Sequence, residues 1–300
     1  MKSKLLSAVL FGALFAATSL SPIMAQAAKT DLTLGAAAAD IGNLDPHYSS
    51  STTDRTLVAW VFGALVRFAP GSTDPSQIEG DLAESWESSE DKLVWTFKLR
   101  KGVQWHHGYG EVTADDVVFS LQKSADPQRS AYSSDYGAID KVEAVDSHTV
   151  RITLKDNIPS VLGLLSNYSG GFIVSKKAVE ERGADFSRKP VGFGPFQLDS
   201  IEAGVAVHFT AHKDYFRGTP KLEKITYRFL NAASARDLAF VAGEVDAITG
   251  LADKNWLGRT QAIEGAVVDI FGPAELSGMH INIKKPPFGD IRVRQSLAHA

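Results

Sequence analysis

Two adjacent histidines, His106 and His107, are the residues of this sequence whose type best suits catalysis or metal binding. Imidazole ligates zinc and can act as a general acid or base near neutral pH. The carboxylates of Glu111, Asp115 and Asp116 follow closely. Adjacent residues at the end of a strand point to opposite sides, so two neighbouring imidazoles rarely converge on one ion. We therefore predict no metal site and no cofactor, and we interpret Asp115 and Asp116 as first-turn residues of a helix.

Motifs of hydrolases and nucleotide-binding proteins are absent from the sequence. It contains no Gly-x-Ser-x-Gly, no His-Glu-x-x-His and no Gly-x-x-x-x-Gly-Lys-Ser/Thr pattern. The run Gly192-Phe193-Gly194-Pro195 is rich in glycine, but proline removes a backbone donor that a phosphate cradle needs. With no cysteine, the chain has no disulfide, no thiolate nucleophile and no cysteine-ligated metal centre. These observations predict a protein that is not an enzyme.

The segment 80–123 predicts a strand, a turn and a capped helix in succession. Apolar and polar residues alternate along 93–99, which is the pattern of a strand with one buried face. Thr113 precedes Asp116 by three positions and an apolar run follows, so the two side chains stand where a helix N-terminus needs acceptors.

The rest of the chain predicts strands interleaved with helices and hairpins, which is typical of a mixed α/β fold. The predicted strands are 32–36, 141–145, 148–155, 195–200, 205–210, 225–229, 245–249 and 266–271, and the predicted helices are 54–66, 175–181, 235–241 and one that begins at 290.

The N-terminus has the three regions of a secretory signal peptide. Lys2 and Lys4 precede an apolar run, and Ala25-Gln26-Ala27 forms a small-residue cleavage site, which predicts removal of residues 1–27. The apolar run is too short for a membrane span. The formal net charge of −4 gives no broad attraction for nucleic acid. No cysteine follows the signal region to carry a lipid anchor, so we expect an unanchored periplasmic protein.

The wording of the segment 80–123 resembles the solute-binding proteins of family 5, the dipeptide and oligopeptide receptors of bacterial ABC importers. The family pattern is close to LAxSWExSxDxxxxTFKLRxGVxFHDGxxxTAxDVVFSL, and the match is nearly continuous. Further landmarks of the family follow in order at 44–47, 192–196, 214–218, 243–246 and 282–295. The resemblance places His106 and His107 in a surface turn, where the family usually has aspartate at the second position, and the family usually has threonine at the position of Phe193. An aromatic ring at Phe193 either packs against its neighbours or narrows the ligand pocket, and we expect packing.

The resemblance implies an α/β fold of the two-lobed type II periplasmic-binding-protein class, with most of the second lobe missing from this chain. It implies a first lobe built from 28–62 and 178–277, an inserted subdomain at 63–177, and the start of the second lobe at 278–300. Ligand would bind in the cleft between the lobes and stabilise the closed form.

The resemblance also implies where ligand would be contacted. An extended segment after the Leu-Asp-Pro-His turn pairs with peptide backbones in relatives, although a polar surface loop is an equal interpretation of the same residues. The inserted subdomain presents a tyrosine to the cleft, and a crossing into the second lobe lies near 278. The candidate ligand-binding residues are Ser50, Ser51, Thr52, Tyr132, Tyr136, Tyr168, Ser169, Gly278, Met279 and His280.

The function implied is that of a periplasmic substrate-binding receptor of an ABC transporter. Such a receptor captures a small peptide or peptide-like solute and delivers it to the permease subunits at the inner membrane. Family relatives also bind nickel chelates, haem, opines and sugars. We expect a monomer without a nucleic-acid partner. Two alternatives are a secreted peptidase that uses His106 and His107, and a periplasmic chaperone.

Overall fold

The computed structural model describes residues 29–72, 74–166, 169–270 and 281–298. The chain divides into two compact units, Met1–Ile248 and Thr249–Ala300, which are called unit 1 and unit 2 below. The predicted signal peptide lies outside the described residues. In the described part of the chain, no helix is long and apolar enough to cross a membrane.

The described elements are mixed strands and helices. The strands are β1 (Asp31–Ala36), β2 (Val66–Phe68), β3 (Ile78–Gly80), β4 (Ala83–Ser88), β5 (Val94–Leu99), β6 (Ile139–Asp146), β7 (Thr149–Leu154), β8 (Phe196–Glu202), β9 (Ala206–Ala211), β10 (Lys224–Phe229) and β11 (Ala247–Ile248). The helices of unit 1 are α1 (Thr52–Val61), α2 (Ala114–Ala125), α3 (Val161–Leu164), α4 (Lys176–Arg182) and α5 (Ala233–Val241), and those of unit 2 are α6 (Lys254–Gln261) and α7 (Ile291–Ala298).

The described residues of unit 1 form two larger sheets and one small one. The five-stranded sheet has the order β11-β1-β10-β9-β8. Strand β1 is parallel to both of its neighbours, β11 and β10. Strand β9 pairs antiparallel with β10 on one side and with β8 on the other. The four-stranded sheet has the order β4-β5-β7-β6 and is antiparallel throughout. β2 and β3 pair by themselves. The sheet arrangement does not test the predicted lobe boundaries at 62, 177 and 277, which stay predictions.

One hydrophobic cluster connects the elements of unit 1. Helix α1 contributes Leu57, Val58 and Val61, which are fully buried. The cluster also contains inward-facing residues of both larger sheets, such as Phe97 on β5 and Phe209 on β9. Because α1 buries this whole face, its position relative to the sheets is fixed by packing.

Most predicted elements are present, and their ends follow local signals. Helix α2 carries Asp115 and Asp116 in its first turn, and the Asp116 carboxylate accepts the backbone N–H of Thr113 at 3.1 Å. Helix α4 begins after Ser175, whose hydroxyl accepts the N–H of Ala178 at 3.2 Å. It ends at Gly183, whose φ of 51° is in the region that favours glycine.

Two predictions about elements were wrong, and several elements were missed. The helix predicted to reach residue 66 ends at Val61, because Phe62 is extended and Gly63 packs so closely on Phe193 that a Cβ would lie 2.6 Å from its ring. No strand forms over residues 266–270. The missed elements are strands β2, β3 and β4 and helices α3 and α6. In α6, Asp253 caps the helix by accepting the N–H of Trp256 at 2.6 Å.

Candidate functional site

The loop before α1 is wound onto the first turn of that helix. The buried carboxylate of Asp54 accepts the backbone N–H of Gly42 at 2.8 Å and that of Asn43 at 3.1 Å. The side chain of Asn43 in turn accepts the N–H of Asp45 at 2.8 Å, and Ser49 donates its hydroxyl to the carbonyl of Asn43 at 2.6 Å. These hydrogen bonds between residues that are close in sequence stabilise one conformation of the loop.

A buried ion pair joins this loop to the end of α2. The ammonium of Lys123 lies 3.0 and 2.9 Å from the two carboxylate oxygens of Asp45, and the two side chains are 4% and 10% exposed. Burial lowers the pKa of Lys123. The same ammonium donates to Nδ1 of His47 at 3.1 Å, which leaves Nε2–H to donate to the carbonyl of Phe172 at 3.0 Å. Burial and the positive charge of Lys123 lower the pKa of His47 to about 4.

Further hydrogen bonds connect the loop to the segment that follows α2. Ala131 donates its N–H to the carbonyl of His47 at 2.9 Å, and Tyr48 donates its hydroxyl to the carbonyl of Gln128 at 3.0 Å. Tyr132 donates its hydroxyl to the carbonyl of Ser49. The residues on either side of Ser49 and Tyr132 are thereby held next to each other.

These contacts create an exposed polar surface that we call the polar corner: Ser50, Ser51, Thr52, Arg55 and Tyr132. Ser50, Ser51 and Thr52 are exposed, and Arg55 and Tyr132 are partly buried. Ser51 also caps α1, since its hydroxyl accepts the N–H of Asp54 at 3.1 Å. The guanidinium of Arg55 lies 3.5 Å from the hydroxyl of Tyr132. The corner therefore offers hydroxyl groups to solvent and contains one partly buried guanidinium.

The other predicted site residues of unit 1 lie elsewhere. Tyr136 is fully buried, and its hydroxyl is 3.2 Å from the carbonyl of Leu164 and 3.1 Å from that of Ser169. Burial raises its pKa. Of the two candidate tyrosines that the structure describes, Tyr132 is thus the one with exposed surface, and Tyr136 is a packing residue in unit 1. Tyr168, Gly278, Met279 and His280 lie outside the described residues.

Sequence reasoning did not find Asp45, Lys123 or Arg55. A lysine in the last turn of a helix, such as Lys123, is ordinarily explained by its favourable interaction with the helix dipole. A weak signal existed, because Ser120 and Ser124 place small polar residues on the same buried face of α2. Such a face accommodates a close neighbour, but it does not identify which one.

The histidine pair is built differently from the expected surface turn. His106 is fully buried, which contradicts that expectation. Its Nε2 lies 2.9 Å from the carbonyl of Gly194, and its backbone N–H donates to the carbonyl of Gly192 at 2.8 Å. Burial lowers the pKa of His106 to about 3. His107 is exposed and has a φ of 57°.

Around this pair the structure shows packing and a small polar cleft. Phe193 is buried, with its ring centroid 5.4 Å from that of Trp105 and 6.3 Å from that of Phe216, which confirms that it packs in the interior. A cleft of about 370 Å³ is lined in part by His107 and His212. Within residues 29–72, 74–166, 169–270 and 281–298, no three His, Asp or Glu side chains are grouped as metal ligands.

Comparison with known families identifies the chain. The model of the bacterial extracellular solute-binding proteins, family 5, matches residues 77–300. The chain belongs to this family. Its fold is that of the type II periplasmic binding proteins, and members of the family are periplasmic receptors of ABC importers.

The relatives of this chain include receptors for different ligands. It is 32% identical to the heme-binding protein A of Haemophilus influenzae over 80% of this chain and 47% of that protein. It is 30% identical to the di/tripeptide-binding protein 2 of Pseudomonas aeruginosa over 85% of this chain and 51% of that protein. The chain therefore spans about half the length of the curated relatives it matches.

One solved structure is much more similar. The periplasmic binding protein MoaA of A. tumefaciens R10, in complex with mannopinic acid, is 64% identical, with a TM-score of 0.87 over 91% of this chain and 55% of that one. The protein DppA of Helicobacter pylori, in complex with the peptide STSA, is 28% identical, with a TM-score of 0.73 over 80% of this chain and 50% of that one.

Proposed function

We propose that this chain is part of a periplasmic receptor that captures an acidic opine of the mannopinic acid type and delivers it to the permease of an ABC importer. The observation that carries the proposal is the 64% identity to a receptor solved with mannopinic acid, against 28% for the receptor solved with a peptide. Export through a cleaved signal peptide and action as a monomer belong to the same proposal.

The polar corner suits a ligand of this chemistry. Mannopinic acid carries both hydroxyl and carboxylate groups. Exposed hydroxyls at Ser50 and Ser51 can exchange hydrogen bonds with a polyol, and the guanidinium of Arg55 presents several donors in a planar fork that matches a carboxylate. An opine is peptide-like in its amino-acid portion, so the corner keeps the role that was expected of it for a peptide.

Neither alternative function gains support from these observations. The relatives that match are binding proteins. A peptidase that uses His106 would need an accessible imidazole, and this one is buried with its Nε2 directed at the carbonyl of Gly194. No observation favours a chaperone.

Isothermal titration of the complete mature protein tests the proposal, after bound ligand is removed by unfolding and refolding. We expect saturable binding of mannopinic acid, and binding of alanyl-alanine that is at least tenfold weaker. The protein should elute as a monomer with and without ligand. Tighter binding of the dipeptide than of the opine would refute the opine assignment.

Two arginine variants add a test of the corner itself. We expect Arg55→Gln to weaken binding of mannopinic acid at least tenfold. Arg67→Gln is the matched control, because Arg67 lies on the small sheet, where it pairs with Glu79 at 2.6 Å. This substitution should leave the affinity for mannopinic acid unchanged. Equal affinities of the two variants would remove Arg55 from the ligand site.

A further inference from the structure

The buried pair of Asp45 and Lys123 is unusual among the ion pairs of the described residues. The other pairs have at least one side chain that is 18% exposed or more, whereas these two are 10% and 4% exposed. The free-energy cost of removing two charges from water can exceed the attraction between them, and apolar replacements of such a pair are often neutral or stabilising. A contribution to stability therefore explains this pair poorly. A role in fixing one local conformation of the chain explains it better.

The pair lies at the base of the two segments that form the polar corner. From Asp45 the chain runs through His47 and Ser49 to Ser50. From Lys123 it runs through the loop 126–131 to Tyr132. The two segments are bonded again where Ala131 meets His47 and where Tyr132 meets Ser49. A shift of Lys123 relative to Asp45 would therefore be passed to both sides of the corner.

A third segment is connected through His47. Because Lys123 donates to Nδ1 of His47, the ring keeps the tautomer whose Nε2–H reaches the carbonyl of Phe172. The hydroxyl of Ser124, one residue beyond the lysine, lies 3.3 Å from the same Nε2 and donates to the carbonyl of Gly170 at 2.5 Å. One ammonium group thus orders contacts of three chain segments.

We propose that Asp45 and Lys123 are positioning residues for the ligand, whose buried ion pair holds Ser50, Ser51 and Tyr132 in the arrangement that binds. This inference rests on the proposed function, in which the polar corner contacts an acidic opine. Holding the corner in its bound arrangement reduces the ordering cost that binding would otherwise carry.

The decisive variant removes both charges and keeps the local shape. In the wild type, the backbone N–H of His47 donates to Oδ1 of Asp45 at 3.0 Å, and the substitution Asp45→Asn keeps this acceptor. The substitution Lys123→Met keeps the volume of the aliphatic part of the lysine side chain. The single variant Lys123→Met leaves a buried carboxylate without its cation and should lower the melting temperature. The double variant Asp45→Asn/Lys123→Met should recover most of that loss.

Ligand affinity should not recover with stability. For the complete protein we expect the double variant to bind mannopinic acid at least tenfold more weakly than the wild type. Hydrogen exchange without ligand should be faster in residues 48–52 and 130–133 and unchanged in the sheet strands. Lys189→Met is the control, because Lys189 and its partner Asp185 form a surface pair in which the side chains are 65% and 69% exposed. This substitution should leave affinity, melting temperature and hydrogen exchange unaltered.

The outcomes separate the inference from the proposed function. Wild-type affinity and unchanged local exchange in the double variant would overturn the inference and leave the opine assignment intact. Absence of opine binding by the wild type would refute the assignment, and the exchange of residues 48–52 would then decide the positioning role alone, with faster exchange supporting it and unchanged exchange overturning it.

Discussion

Acid should destabilise this protein through the buried imidazole of His106. Burial lowers its pKa to about 3 in the folded protein, against 6.5 for an unburied histidine, and the contact with the carbonyl of Gly194 opposes the shift only in part. The unfolded chain therefore takes up a proton first as the pH falls. The stabilising contribution is complete above pH 6.5 and is lost progressively between pH 6.5 and 3.

The size of this loss follows from the two pKa values. Between pH 7.5 and pH 5, the difference in protonation of the one histidine lowers the free energy of unfolding by about 2 kcal/mol. Such a loss is a large fraction of the stability of an ordinary domain. Other groups titrate over the same range, among them His47, so the effect has to be isolated by a variant.

The variant His106→Gln isolates it. Glutamine can donate its amide to the carbonyl of Gly194 but does not titrate. Urea unfolding of the complete protein at pH 7.5 and at pH 5 gives two free energies for each protein. We expect the wild type to lose about 2 kcal/mol more than the variant over this interval, because every other group cancels in the comparison. Equal losses in the two proteins would refute the assignment of a buried neutral imidazole.

Four further substitutions test local packing and helix capping. Gly192→Ala should prevent folding or reduce it severely, since a Cβ there would lie 1.9 Å from the carbonyl oxygen of Val61, whereas Gly258→Ala meets open space in a helix and should leave the melting temperature equal or higher. Phe193→Thr should lower the free energy of unfolding by about 3 kcal/mol in urea titrations, because it empties a buried aromatic position. Ser175→Ala removes the cap of α4 and should cost about 1 kcal/mol, and no loss in the same titration would contradict its role.

Elements defined by nearby residues were predictable from the sequence. The hairpin of β6 and β7 and the caps of α2 and α4 depend on alternation and on hydroxyl or carboxylate groups within a few positions. The end of α1 was not predictable, because it depends on Phe193. The burial of His106 depends on Gly194, which is 88 residues away in the sequence.

The candidate site divides in the same way. The exposed loop at Ser50–Thr52 could be predicted, since polar residues follow a turn motif. The ion pair beneath it could not, because its two residues are 78 positions apart and each has an ordinary local interpretation. An aspartate before proline reads as a turn, and a lysine at a helix end reads as a dipole partner. Only the fold places them within 3 Å of each other.

The motifs shared with the family clamp the two ends of α1. Gly194 donates its N–H to the carbonyl of Val61 at 2.8 Å, at the end of the helix. Asp45 lies in the Leu-Asp-Pro-His motif and, paired with Lys123, fixes the loop that leads to its beginning. Receptors whose names record heme, peptides and mannopinic acid share the fold, so features common to them cannot by themselves select one ligand. Within the polar corner, Arg55 is partly buried and carries the only positive charge, so we expect any preference of this surface for an acid to depend on it.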